Sequence, residues 1–282
     1  MVKESKKGTC VACGKEFEKL TFEHVPPKST GNQNTAQLYQ LKGQQNLYQK
    51  QQQKGAGYYS LCAEHNTLFG LEYVRCFEMV VSELANSIND ITNEISSNVG
   101  ISNVLSYAPF YGKDYRFKAE FNSLLFAKEV IAMFITLLGV SSASDSDICS
   151  ISRRFVDLIR TSDFLLDPDK TEFPTDEYLI LMNIYIPDEE ESNSTTPLGR
   201  IELSGETFFY SEVRMSPLCF TLFYKNGSQL EAFRGFDMIE FLNSDNIQRT
   251  IDIQIPIFNG KLPKPVGKFE WLAPIPFYLK SI

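Results

Sequence analysis

The residues of this chain best suited by type and spacing to a metal ion are Cys10-x-x-Cys13 and Cys62-x-x-His65. Two residues between ligands let one tight turn direct both side chains at the same point. Gly14, directly after the first pair, suits the positive φ that such a turn often needs. Three thiolates and one imidazole complete a tetrahedron and leave no open position, the mark of structural rather than catalytic zinc. A thioredoxin-like redox use of CVAC would need a surrounding βαβ pattern, and none is legible here. The spacing therefore predicts one structural Zn2+ held by Cys10, Cys13, Cys62 and His65.

The chain has two histidines. With His65 spent on zinc, His24 is the imidazole left for other chemistry. It lies in TFEHVPPKS, Thr21 to Ser29, directly after Glu23. A glutamate is a hard oxygen donor suited to Mg2+ or Mn2+. Pro26 favours an extended Val25 and lacks a backbone donor, so a strand should end just after His24. Asn66 follows the last zinc ligand and would be positioned by it. Neighbours on an ideal strand point to opposite faces, so Glu23 and His24 converge only where the strand twists or ends.

The ordered combination Cys-x-x-Cys, Glu-His-Val-Pro-Pro and Leu-Cys-x-x-His-Asn resembles the zinc-stabilised branch of the His-Asn-His (HNH) endonucleases. The resemblance covers about residues 8–76. It implies a ββα-metal module, a β-hairpin and a helix around one divalent ion. By that resemblance His24 is the general base that takes a proton from the attacking water, as a neutral imidazole can near pH 7. Glu23 and Asn66 would hold a catalytic Mg2+ or Mn2+, giving metal-assisted phosphodiester hydrolysis. The chain departs from the pattern in three places. Glu23 stands where Asp is usual, Gly57 stands near the place of a common Asn, and His65 replaces a commoner Cys. Free-standing proteins of this kind with an unassigned second domain resemble nucleases of bacterial antiphage defence. The rival reading is a non-catalytic zinc module that binds nucleic acid or protein.

The elements that must position these residues are legible in outline. Of 282 residues, 43% are hydrophobic and 22% charged, an ordinary balance for a folded protein with a sizeable core. The first residues, MVKESKKGTC, form no apolar leader, and Val130 to Val140 is too short to span a bilayer. These features predict a cytoplasmic protein with reduced thiols and no membrane partner. Cys76, Cys149 and Cys219 read as buried small apolar residues. Charge is uneven: residues 1–75 carry ten Lys or Arg against six Asp or Glu, and the remainder seventeen against twenty-nine. The first segment could face a polyanion; the remainder would be repelled by one.

The pattern predicts an α+β chain with a zinc-bound module over 1–70 and an α+β domain over 71–282. In that second part helices are expected over about 71–165, and a β-rich region over about 176–282. The glutamine-rich run Gln37 to Gly57 reads as a solvated insertion, or as a loop laid against a nucleic-acid backbone. Lys28, Lys42, Lys50 and Lys54 are the candidate nucleic-acid contacts. The target is DNA; RNA is a third possibility after the binding-module reading, because such a site reads the phosphate backbone and the sequence does not fix the sugar. Val74, Phe77, Val81, Leu84, Ile88, Ile91 and Ile95 form a heptad seam, to be covered by the chain's own core or by a second copy. Gly70 is the expected break before it. Helices are expected from Glu120 to Leu138 and from Ser146, and strands in YLILMNIYI, RIELSG, ETFFYSEV, LCFTLFY and TIDIQIPIF. The second domain would regulate, dimerise or recognise, with a regulatory protein or ligand as its partner.

Overall fold

The computed structural model describes residues 6–33, 36–42, 46–52, 55–85, 110–139, 146–187, 193–203, 206–215, 218–225, 235–242 and 249–260. The mixed helix and sheet composition predicted by the sequence is present. Strands β1 (Lys6–Thr9), β2 (Glu16–His24) and β5 (Gly57–Leu61) form an antiparallel sheet in the order β1-β2-β5. The strand ends at His24 as Pro26 requires, and the Val25–Pro26 peptide is cis.

The described part of the glutamine-rich run is two paired strands. Strands β3 (Ala36–Lys42) and β4 (Asn46–Gln52) pair antiparallel as a separate hairpin. Interspersed Leu and Tyr residues supply the β propensity that the glutamines lack. Lys42 pairs there with Asn46 and Lys50 with Leu38, whereas Lys54 lies outside the described residues.

Helix α1 (Ala63–Leu68) begins immediately after Cys62. Gly70 does not break it. Phe69–Tyr73 form a π-helical turn that absorbs one extra residue, and the helix continues over 74–85. The described part of the seam turns inward: Phe77, Val81 and Leu84 are buried, and Phe77 stacks on Phe126 with ring centroids 5.3 Å apart. Ile88, Ile91 and Ile95 lie outside the described residues.

A strand occupies part of the segment expected to be helical: β6 spans Phe110–Phe121. Alternation from Tyr115 to Phe121 favours a strand locally. Helix α2 (Ser123–Gly139) therefore starts after Glu120, with Asn122 accepting at Oδ1 from the Leu125 N–H at 3.0 Å. It is buried nearly all round, as an apolar helix at the centre of a core must be. Helix α3 (Ser146–Thr161) is amphipathic and packs Phe155, Val156 and Ile159 inward.

The remaining strands are β7 (Tyr178–Pro187), β8 (Asn193–Leu203), β9 (Glu206–Met215), β10 (Leu218–Tyr224), β11 (Phe236–Asp237) and β12 (Arg249–Gly260). With β6 they form one seven-stranded sheet, ordered β6-β12-β7-β10-β9-β8, with β11 added to β7. Pairing is antiparallel except between β12 and β7. A short helix α4 (Ile239–Leu242) lies between β11 and β12.

The N-terminal unit and the sheet share one apolar core, which includes Cys10, Val11, Leu61, Phe77, Phe126, Phe155 and Phe220. The zinc-type turn is docked on two helices. A Cβ on Gly139 would lie 2.5 Å from Val11 Cγ1, so the end of α2 tolerates only glycine at that approach. Arg160 of α3 donates through Nε to the Val11 carbonyl at 3.4 Å. A smaller cluster of Leu179, Leu181, Phe208, Tyr210 and Phe223 forms a second core. Among the described residues no helix is long and apolar enough to cross a membrane.

Candidate functional site

The four metal-type residues meet. The ligand atoms of Cys10, Cys13, Cys62 and His65 all lie within 4.8 Å of one another. His65 presents Nδ1, at 3.0 Å from Cys62 Sγ and 3.7 Å from Cys10 Sγ. Such spacings suit ligands sharing one tetrahedral ion, since metal–ligand bonds are about 2.0–2.3 Å. The turn that aims Cys10 and Cys13 closes through Gly14 N–H to the Cys10 carbonyl, at 2.8 Å, with Gly14 at φ +71. Burial lowers the His65 pKa and so favours the neutral, ligating imidazole. Burial, with the adjacent Cys10 as a further contributor, raises the Cys13 pKa; a bound cation would reverse that cost. The cluster can hold a structural metal such as zinc.

This cluster joins the strands to the helix. Val11 N–H donates to the Ser60 carbonyl of β5 at 2.9 Å, while Asn66 N–H donates to the Cys62 carbonyl at 3.0 Å. Asn66 is thus one residue beyond a metal-type ligand and half-buried on the first turns of α1.

Glu23 and His24 end β2 beside the start of β5, opposite Tyr58 and Gly57. The register shifts between Thr21 and Phe22, a bulge of the kind that increases local twist. Of the two conditions for convergence of strand neighbours, termination is present at His24. Phe22 meets the His24 ring edge-on with centroids 4.9 Å apart. A Cβ at Gly57 would fall 2.7 Å from Phe22 Cε1 and 2.2 Å from the Glu23 carbonyl oxygen. Glycine therefore stands at this place because the Glu23 carbonyl oxygen, and next to it the Phe22 ring that meets His24, leave no room for a side chain.

Asn32 is a residue that sequence reasoning missed. It is buried; its Nδ2 donates to the Pro26 carbonyl at 2.6 Å and to the Ala56 carbonyl at 2.7 Å. Its Oδ1 accepts from the Ala56 N–H at 2.7 Å. One amide thus ties the turn after His24 to the entry of β5, and this fixes the end of β2. Lys28 is exposed in the 3-10 turn Lys28–Thr30 just beyond.

The electrostatics add a second missed residue. Burial raises the Glu23 carboxyl to about 8. Glu129, at the middle of α2, is 2% exposed, and burial followed by the charges of Glu23 and Glu78 pushes its carboxyl well above the ordinary range. The signal for Glu129 was a lone Lys-Glu pair inside an otherwise apolar helix. Among the described residues, the Cys/His cluster is the one group of three or more His, Cys, Asp or Glu side chains gathered at metal distance.

Compared with protein-family models, with curated proteins and with solved structures, the chain matches none.

Proposed function

We propose that the chain is a metal-dependent endonuclease of the HNH type, hydrolysing phosphodiester bonds of DNA. The observation that carries this reading is the run of chemistry-bearing residues along β2, β5 and α1. His24 ends one strand, the Cys/His cluster closes at the end of the next, and Asn66 opens the helix that follows. A Mg2+ or Mn2+ ion held by Glu23 and Asn66 would stabilise charge on the phosphate and the leaving oxygen. Glu23 fits that role, because its half-buried carboxyl is raised by desolvation and no described cation offsets it. An unprotonated ring nitrogen of His24 accepts the proton of the attacking water, and Phe22 holds the ring in place. A zinc held by the Cys/His cluster would take no part in the reaction; it would keep Asn66 in register with the strand end. Lys28 would meet a phosphate near the cut.

The test is cleavage of supercoiled plasmid by the full chain with added Mg2+ or Mn2+. His24→Ala should lower the rate by about 100-fold or more, the usual contribution of a general base, with zinc content and melting temperature unchanged. If His24→Ala cuts at the wild-type rate, the nuclease assignment fails, and the zinc unit is better read as a binding module.

A further inference from the structure

Glu129 is a carboxylate in a place where carboxylates are seldom found. It sits on α2 between Lys128 and Val130, in the one helix of the described chain that is buried on nearly every side. Its Oε2 is buried and has no hydrogen-bond partner among the described residues. The neighbouring lysine does not neutralise it. Lys128 turns its ammonium to the carbonyls of Asp167 and Pro168, the latter at 3.1 Å, and lies over the Phe164 ring at 4.7 Å. The charges felt at Glu129 are those of two further acids, Glu23 at the end of β2 and Glu78 on the long helix.

The packing brings the elements that carry these acids together. α2 packs against both β5 and the π-helical turn of the long helix. Phe126, one turn before Glu129 on the same face, stacks on Phe77, the residue next to Glu78. Glu23 is on the strand paired with β5. Ionising a buried carboxyl is costly, so Glu129 holds its proton well above the ordinary range, and the charges of the other acids add to that cost. A hard divalent cation is the ligand that converts an unneutralised acidic pair into a stable arrangement.

We infer that Glu129 is a ligand for the divalent cation assigned to Glu23, so that α2, outside the N-terminal unit, supplies part of the metal site. This inference rests on the nuclease reading for the assignment of Glu23 to the metal. It goes beyond it in making the core helix a component of the site. The N-terminal unit would then be incomplete without the remainder of the chain, and any movement of α2 would change metal affinity.

The experiment is titration of Mn2+ into the zinc-loaded full chain, with free Mn2+ followed by electron paramagnetic resonance. Wild type should bind one Mn2+ beyond its zinc. Glu129→Gln should weaken that binding at least tenfold, and Glu129→Asp, which keeps the charge, should weaken it less. Both variants should keep their zinc. Glu129→Gln replaces a buried, protonated carboxyl by a neutral amide of almost the same volume, so its melting temperature in the absence of Mn2+ should stay close to that of wild type. Affinity of Glu129→Gln within twofold of wild type overturns the inference, as does a wild type that binds no Mn2+ at millimolar concentration. The two readings fail separately. Glu129-dependent Mn2+ binding without any plasmid cleavage removes the nuclease and keeps the site. Cleavage that depends on His24, with Mn2+ binding indifferent to Glu129, removes the site and keeps the nuclease.

Discussion

Two regions of this molecule bury carboxylates, and they do so by opposite means. On the large sheet, Glu212 and Arg214 lie two residues apart on β9 and therefore on one face; they form an ion pair that is almost wholly buried. Thr221 and Cys219 stand opposite them on β10. Burial raises the Glu212 carboxyl, and the guanidinium beside it pulls back in the other direction. In the other region, Glu129 of α2 is buried and feels the charges of Glu78 and of the half-buried Glu23, with no described cation to offset them. A paired charge inside a protein is an ordinary structural solution; acids that lack a cation are neutralised by a proton or by a bound cation.

The largest effect should come from the element that holds the second region together. Cys62→Ser should abolish zinc binding and unfold the strands around it. Zinc sites of this kind contribute on the order of 10–16 kcal/mol in small domains, comparable to the whole stability of a typical protein. Because Val11 and Leu61 belong to the same core as Phe126 and Phe220, the loss should extend into α2. Zinc stoichiometry and near-ultraviolet circular dichroism check this; a zinc-free variant with the native spectrum removes the structural role of the cluster.

The contrast itself is tested by removing one partner from each region. Arg214→Met strands Glu212 in the core and should cost about 3–5 kcal/mol. The double change Arg214→Met, Glu212→Gln should restore most of that loss. Chemical denaturation measures both. If Arg214→Met proves neutral, the sheet pair is not the structural counterpart described here.

The smallest effect is a pH slope confined to the acidic region. Glu23 is raised from 4.5 to about 8, so the folded state holds its proton more tightly than the unfolded state does. Stability from this group is fully present below about 4.5 and is lost as pH rises through about 8. Without added divalent metal, wild type should lose melting temperature across that window more steeply than Glu23→Gln. Added Mn2+ should flatten the wild-type profile. Equal slopes for the two proteins, measured by differential scanning calorimetry, would remove this part of the contrast.

How much of this was legible in the chain depends on the range of the interaction. Cys10 and Cys13, and Cys62 and His65, are each separated by two residues, so turn geometry dictates their convergence and the spacing announces it. The positive φ of Gly14 and the end of β2 before Pro26 are local in the same sense. So are strands β7, β9, β10 and β12, whose runs of branched and aromatic residues stand between turn signals. The strand at β6 was also written locally, in the alternation from Tyr115 to Phe121, but the apolar helix directly after it drew the helical reading across its end.

The tertiary structure alone decided the rest. Asn32 carries no pattern; its value is that folding sets its amide between the Pro26 and Ala56 carbonyls. Gly57 looks like a departure from a family pattern until the Phe22 ring is seen to occupy the space of its side chain. Gly70 should have stopped a helix by its propensity, yet burial of Phe69, Tyr73 and Phe77 on both sides keeps the chain helical through a π turn. Glu129 sits far along the chain from Glu23, and nothing in its neighbours foretells that β5 will carry the strand end to α2. Local spacing determined each pair of candidate metal ligands, Cys10 with Cys13 and Cys62 with His65. Only the packing of distant elements, which excludes water and so turns an ordinary glutamate into an uncompensated buried acid, decided what lies against them.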